Sequence, residues 1–166
     1  MSKSRRLLIL SGLVLALWGM SFGLYYALFV EHQTLDRIGS SLAASFARAA
    51  DGKTEDSRAS LDEYAAAQYA YVRSVDVHSH WIGLAMLLIV FGAIFDRVTF
   101  TEERKFWLAL ALVVGSTIFP LGVLLQTVIM GAIPRALAAT GAALVTIALT
   151  VVAFGLAKSS AGDQIE

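Results

Sequence analysis

Leu7–Val30 is an unbroken run of 24 residues without a charge. About 20 apolar residues cross the hydrocarbon core of a bilayer as a helix. In that core only helices and closed barrels satisfy their own backbone polar groups. The basic head Met1–Arg6 ahead of the run also fits a signal peptide. The run, however, is longer than the usual apolar core of a leader, and no small-x-small cleavage pattern follows Tyr25–Phe29. It is read as a retained transmembrane helix. Three further apolar stretches follow, and the predicted spans are about 7–30, 77–95, 106–130 and 136–157. Composition agrees, with 57% hydrophobic and 16% charged residues, against roughly half and a quarter in soluble domains.

Between the first two spans lies a hydrophilic segment, residues 31–76. Leu35, Ile38, Leu42 and Phe46 recur at helical spacing, and Leu61, Tyr64, Gln68, Tyr71 and Val75 form a second such face. Asp51–Ser57 breaks the pattern as a turn, and Ser60-Leu61-Asp62-Glu63 reads as a capping box. The expected architecture is an all-α, integral membrane four-helix bundle with an extramembrane helical hairpin between spans 1 and 2, forming one domain. Each arm should run on into a membrane helix. Thr99-Phe100-Thr101-Glu102 is another capping box, Pro120 should kink the third span, and Gly131-Ala132-Ile133-Pro134 reads as a tight turn. Gly19 and Gly23 form a Gly-x-x-x-Gly spacing that lets a second helix approach closely.

Charge sets orientation. Lys3, Arg5, Arg6, Arg97, Arg104, Lys105 and Lys158 crowd one side of the spans. The hydrophilic segment carries eight acidic and five basic residues diluted along its length. By the positive-inside rule both termini are cytoplasmic and the hairpin is periplasmic, across a bacterial inner membrane. A net charge of zero offers no field for nucleic acid. The absence of cysteine excludes disulfides, thiolate metal sites, iron–sulfur clusters and cysteine nucleophiles. No ionisable residue lies deep in spans one, three or four, which argues against ion pumping. No phosphate loop, nucleophile elbow or zincin motif is present, so catalysis by this chain alone is not expected.

All three histidines, His32, His78 and His80, border the hydrophilic segment. With the tip of the hairpin near Thr54, residue n faces about residue 108 − n. That register gathers Glu31, His32, Asp76, His78 and His80 in one layer at the outer surface. Several readings stay open. The histidines can be interfacial decoration, with Trp81 and Tyr71 in the aromatic belt. They can be axial ligands of haem b. They can bind copper, zinc or iron, with Asp76 or Glu31 as a carboxylate ligand. They can relay protons. Lower in the outer third of span three, Gln126 and Thr127 either line a pocket or make an interhelical hydrogen bond.

His78-Ser79-His80-Trp81-Ile82-Gly83-Leu84-Ala85, leading into the apolar stretch to Phe95, resembles the His-x-His or His-x-Asn helix opening of the large subunits of haem–copper oxidases and nitric oxide reductases, and of small membrane proteins that share it. The resemblance implies haem ligation by one of these histidines. Spans three and four contain no histidine, so the family's distal and copper ligands are missing, and a second axial ligand would come from His32, Met20, Met86, Met130 or another chain. Two functions are expected from this reading. One is a small haem- or metal-binding accessory subunit of respiratory electron transfer. The other is a non-catalytic scaffold or assembly factor whose hairpin docks a partner, within a membrane complex or a homo-oligomer.

Overall fold

The apolar runs become helices because an uncapped strand edge or loop has no water to bond in a bilayer. The computed structural model describes residues 2–129 and 131–162. Its elements are α1 Lys3–Phe29, α2 Glu31–Ala50, α3 Thr54–Ile94, a 3₁₀ turn Phe95–Arg97, α4 Glu102–Leu125 and α5 Ala132–Gly162. No strand occurs among the described residues. Four of the helices, α1, α3, α4 and α5, are long and apolar enough to cross a membrane. Met130 and residues 163–166 of the polar tail lie outside the described residues.

α3 is the axis of the molecule. It contacts α1, α2 and α4, while α5 packs on α4. The contact between α1 and α3 is made by glycines. A side chain at Gly12 would meet Ile89, one at Gly19 would meet Trp81 at 2.9 Å, and one at Gly23 would fall on the ring of His78. Gly92 of α3 returns the same favour to Ile9. The second close seam joins α4 to α5, where Gly122 lies against the backbone of Ala138 and Gly141 against that of Phe119. Removing Cβ at these points lets helix backbones approach, which is how dispersion forces hold membrane helices together. Between the seams Leu8, Leu88, Leu112, Trp81 and Phe95 are fully buried.

The helix boundaries differ from the sequence expectation in five places. α4 ends at Leu125, short of the predicted span end at 130, and Gln126–Val128 form a turn. α3 starts at Thr54, and Ser60 lies inside it. The Ser60 hydroxyl accepts from Arg48 at 2.7 Å and donates to the Asp56 carbonyl at 3.1 Å, so the predicted capping box does not cap. α4 is capped by Thr101, whose hydroxyl accepts from the Arg104 amide. Thr99 instead donates to the Gly155 carbonyl at 3.0 Å and ties the turn to α5. Ala132–Pro134 is the first turn of α5, not a loop. Proline is tolerated there because the first helical amides have no partner to lose. At Val30 the backbone leaves helical geometry (φ −121°, ψ −40°), so α1 and α2 are two helices. The second arm does run on into its span: α3 is continuous for 41 residues.

Candidate functional site

The register between α1 and α3 decides where the histidines go. Gly12 meets Ala85 and Ile89, Gly19 meets Trp81, and Gly23 meets His78. In α2, Arg37 pairs with Glu63 at 3.0 Å, Ser45 with Ser57 at 3.3 Å, and Glu31 with the Tyr71 hydroxyl at 3.5 Å. These partners place residue n opposite about residue 101 − n, not 108 − n, a slip of about 10 Å along the axis. The turn is at Asp51–Lys53, with Gly52 at φ +77°. It lies ahead of Thr54, and the glycine contacts between α1 and α3 lock the same offset.

Each predicted ligand consequently finds its own surroundings. His32 is exposed and pairs with Asp36 at 3.4 Å, one helical turn away. His78 is seated on Gly23, and its Nδ1 lies 3.0 Å from the Gly19 carbonyl. A hydrogen bond to that carbonyl needs the proton on Nδ1, and in the neutral ring Nε2 then carries the lone pair. His80 turns to α4, where its ring meets Phe119 edge-on at 4.6 Å. Its Nδ1 is buried without a hydrogen-bond partner. Asp76 pairs with Arg73 at 3.4 Å, and Glu31 contacts Tyr71. Among the described residues no three His, Asp or Glu side chains converge closely enough to hold a metal ion. His78 and His80 diverge because two residues turn a helix by about 200°, and α3 stays regular through both. Trp81 is not part of an aromatic belt. It is 1% exposed, in edge contact with Phe22 at 5.2 Å and Trp18 at 6.2 Å.

Gln126 does make the interhelical hydrogen bond, accepting from the Tyr69 hydroxyl at 3.4 Å while its amide donates to the Gly122 carbonyl. It also lines a cavity of about 430 Å³ with Ala66, Ala70, Thr127 and Arg135. Arg135 had no place in the sequence argument. Its position after Pro134, on the side of the spans opposite the basic clusters, was the available signal.

The α2–α3 contact holds the larger surprise. Its seam is serine and alanine: Ser41, Ser45, Ser57, Ser60 and Ala67 are buried. The Ser57 hydroxyl donates to the Ser45 carbonyl at 3.0 Å, and Arg48 reaches across to Ser60. The apolar face predicted for α2 does not fill the seam: Phe46 is 68% exposed, Leu35 is exposed, and Ile38 and Leu42 are half-buried, while Leu61 of the face predicted for α3 is exposed too. At about 100° per residue, Leu35, Ile38, Leu42 and Phe46 lie roughly 60–140° to one side of Ser41. Leu61, Val72 and Val75 occupy the same arc relative to Ser60. In an antiparallel pair the same sense of rotation brings both stripes to one flank. The other flank, with Gln33, Arg37, Ala66 and Ala70, faces Thr127 across a cavity of about 390 Å³. The apolar flank therefore looks away from α4 and α5. No charged residue occupies that arc from Leu35 to Phe46 or from Leu61 to Val75.

No protein-family model, curated protein or solved structure matches this chain.

Proposed function

We propose that this chain is a non-catalytic membrane scaffold or assembly factor. Its four spans anchor a helical hairpin, residues 31–76, that stands outside the bilayer and docks a partner protein. The observation that carries this reading is the uncharged apolar flank shared by α2 and α3, with Leu35, Phe46, Leu61, Val72 and Val75 exposed. α3 is 41 residues long, about 62 Å at 1.5 Å per residue, whereas the hydrocarbon core is only about 30 Å thick. Its first half thus belongs in water, where an apolar stripe is unfavourable by about 25 cal/mol per Å². The basic residues flanking the other ends of the spans support cytoplasmic termini and a periplasmic hairpin in a bacterial inner membrane. The test is a single cysteine, Val72→Cys, in a chain that otherwise has none. In native membranes it should resist a water-soluble maleimide that labels Ala59→Cys readily. Equal labelling of both would overturn the docking reading.

A second reading is supported by His78. An imidazole that donates Nδ1–H to a backbone carbonyl and keeps Nε2 free is arranged as metal-bound histidines are. On this reading the chain is an accessory subunit of respiratory electron transfer holding haem b, copper, zinc or iron through His78 or His80, with remaining ligands such as His32, Glu31 or Asp76 supplied by rearrangement or by another chain. A Soret band, or one metal per chain by elemental analysis, lost in His78→Ala or His80→Ala, would support it. Purified protein with neither band nor metal would exclude it.

A further inference from the structure

We infer that the apolar flank of α2 and α3 is covered by a second copy of this chain, in a symmetric dimer whose twofold axis stands along the membrane normal. The inference rests on the docking reading above and names its partner. Three observations lead to it. The flank does not stop at the membrane surface. In the same arc of α1 and α3 lie Leu13, Met20, Leu24, Met86 and Val90, all exposed. A partner matching the whole strip must itself span the bilayer and project beyond it to the same height. A second copy in the same membrane meets both demands without adjustment.

Size is the next observation. A strip about 62 Å long and roughly 18 Å wide, the breadth of two packed helices, presents on the order of 1,000 Å² per copy. A standard interface needs roughly 800 Å² on each side. The third observation is charge. From Leu35 to Phe46 and from Leu61 to Val75 the arc is free of charged residues, so over that length two identical strips meet with no like-charge repulsion, as an isologous contact requires. Glu31, the acid at its membrane end, contacts the Tyr71 hydroxyl of its own chain at 3.5 Å. Rotation about the membrane normal sets α2 of one copy against α3 of its partner. The two serine-seamed pairs then form a four-helix bundle with an apolar centre, the usual solution for amphipathic helices.

The experiment uses the full chain reconstituted in liposomes. Chains carrying Leu42→Cys are mixed with chains carrying Leu61→Cys, and, separately, chains carrying Ala47→Cys with chains carrying Ala59→Cys on the opposite flank. Mild oxidation should give a covalent dimer from the first mixture only. The detergent-solubilised wild type should have a protein mass twice 17.8 kDa. Val72→Glu, at an exposed position, should weaken self-association at least tenfold while leaving helicity by circular dichroism unchanged. A monomeric mass with no cross-link from either mixture overturns the dimer, as does equal cross-linking from both. If the reconstituted chain is monomeric but Val72→Cys stays protected in native membranes, a different protein covers the flank and only the second copy is wrong. If Val72→Cys is labelled freely in both settings, the docking reading falls as well.

Discussion

Gly23 and His78 show how much one missing Cβ decides. The imidazole occupies the space a side chain at Gly23 would need and reaches the Gly19 carbonyl from there. Gly23→Ala should push the ring out, lose that hydrogen bond and destabilise the protein by roughly 1–3 kcal/mol, the range of overpacked cores. Thermal unfolding in detergent measures it. Adding His78→Ala removes the clash, so the cost of Gly23→Ala should then fall to about 0.5 kcal/mol or less, a coupling that a double-mutant cycle reads directly. At the opposite membrane surface Asp96, just beyond the second span, accepts from the Ser2 hydroxyl at 2.7 Å and from Arg5 at 3.1 Å. The Ser2 and Arg5 hydrogen bonds hold its carboxyl below the ordinary value of 3.8. A depressed carboxylate stabilises the fold above the unfolded-state pKa, and that contribution disappears as pH falls through the folded-state value. Asp96→Asn should therefore lower the melting temperature at pH 7. The gap from wild type should narrow as the pH drops below about 4 and close at the acid end. A gap independent of pH would show that the carboxylate charge is irrelevant.

The α2–α3 pair is the element whose internal contacts matter most for function. Small serines let the two helices lie close, and their hydroxyls bond across the seam or back to the preceding turn. Ser45→Leu should force the pair apart, costing roughly 1–3 kcal/mol as an overpacked contact and making the Asp51–Lys53 turn more sensitive to protease. The Arg37–Glu63 pair is half exposed on both sides, so Arg37→Ala should change stability by less than about 1 kcal/mol. Gly52→Ala belongs with the turn. At φ +77° an L side chain is strained by roughly 1–2 kcal/mol, and the loss should appear as earlier unfolding of the pair while the spans remain helical.

For the whole molecule the decisive property is which side of the membrane each end occupies. Thr54→Cys, beside the turn of the pair, should react with an impermeant maleimide in intact cells, whereas Arg104→Cys, at the start of α4, should react only after the membrane is opened. The reverse pattern would invert the orientation and place the apolar flank in the cytoplasm. Arg135 makes this worth measuring, because it adds a positive charge on the same side as the α2–α3 pair and reduces the asymmetry that the positive-inside rule uses.

Periodicity and length were enough to read four apolar helices and the amphipathic segment between the first two, because hydrocarbon leaves the backbone no alternative to internal hydrogen bonds. The Gly19–Gly23 spacing pointed to close helix contact, and that contact is present. The capping box at Ser60 misled, since Ser60 and Glu63 bond sideways to Arg48 and Arg37 across a helix already begun. The shared histidine layer depended on a register that no local pattern encodes. It is set where Gly12, Gly19 and Gly23 admit the side chains of α3, so His32, His78 and His80 face water, α1 and α4 in turn. In the same way, Leu35, Ile38, Leu42 and Phe46 were legible as one face of a helix, but only the tertiary structure decided that serines would fill the seam, leaving Leu35 and Phe46 exposed and Ile38 and Leu42 half-buried. Backbone geometry fixes what shares a face, while the approach of a second helix fixes which face is buried.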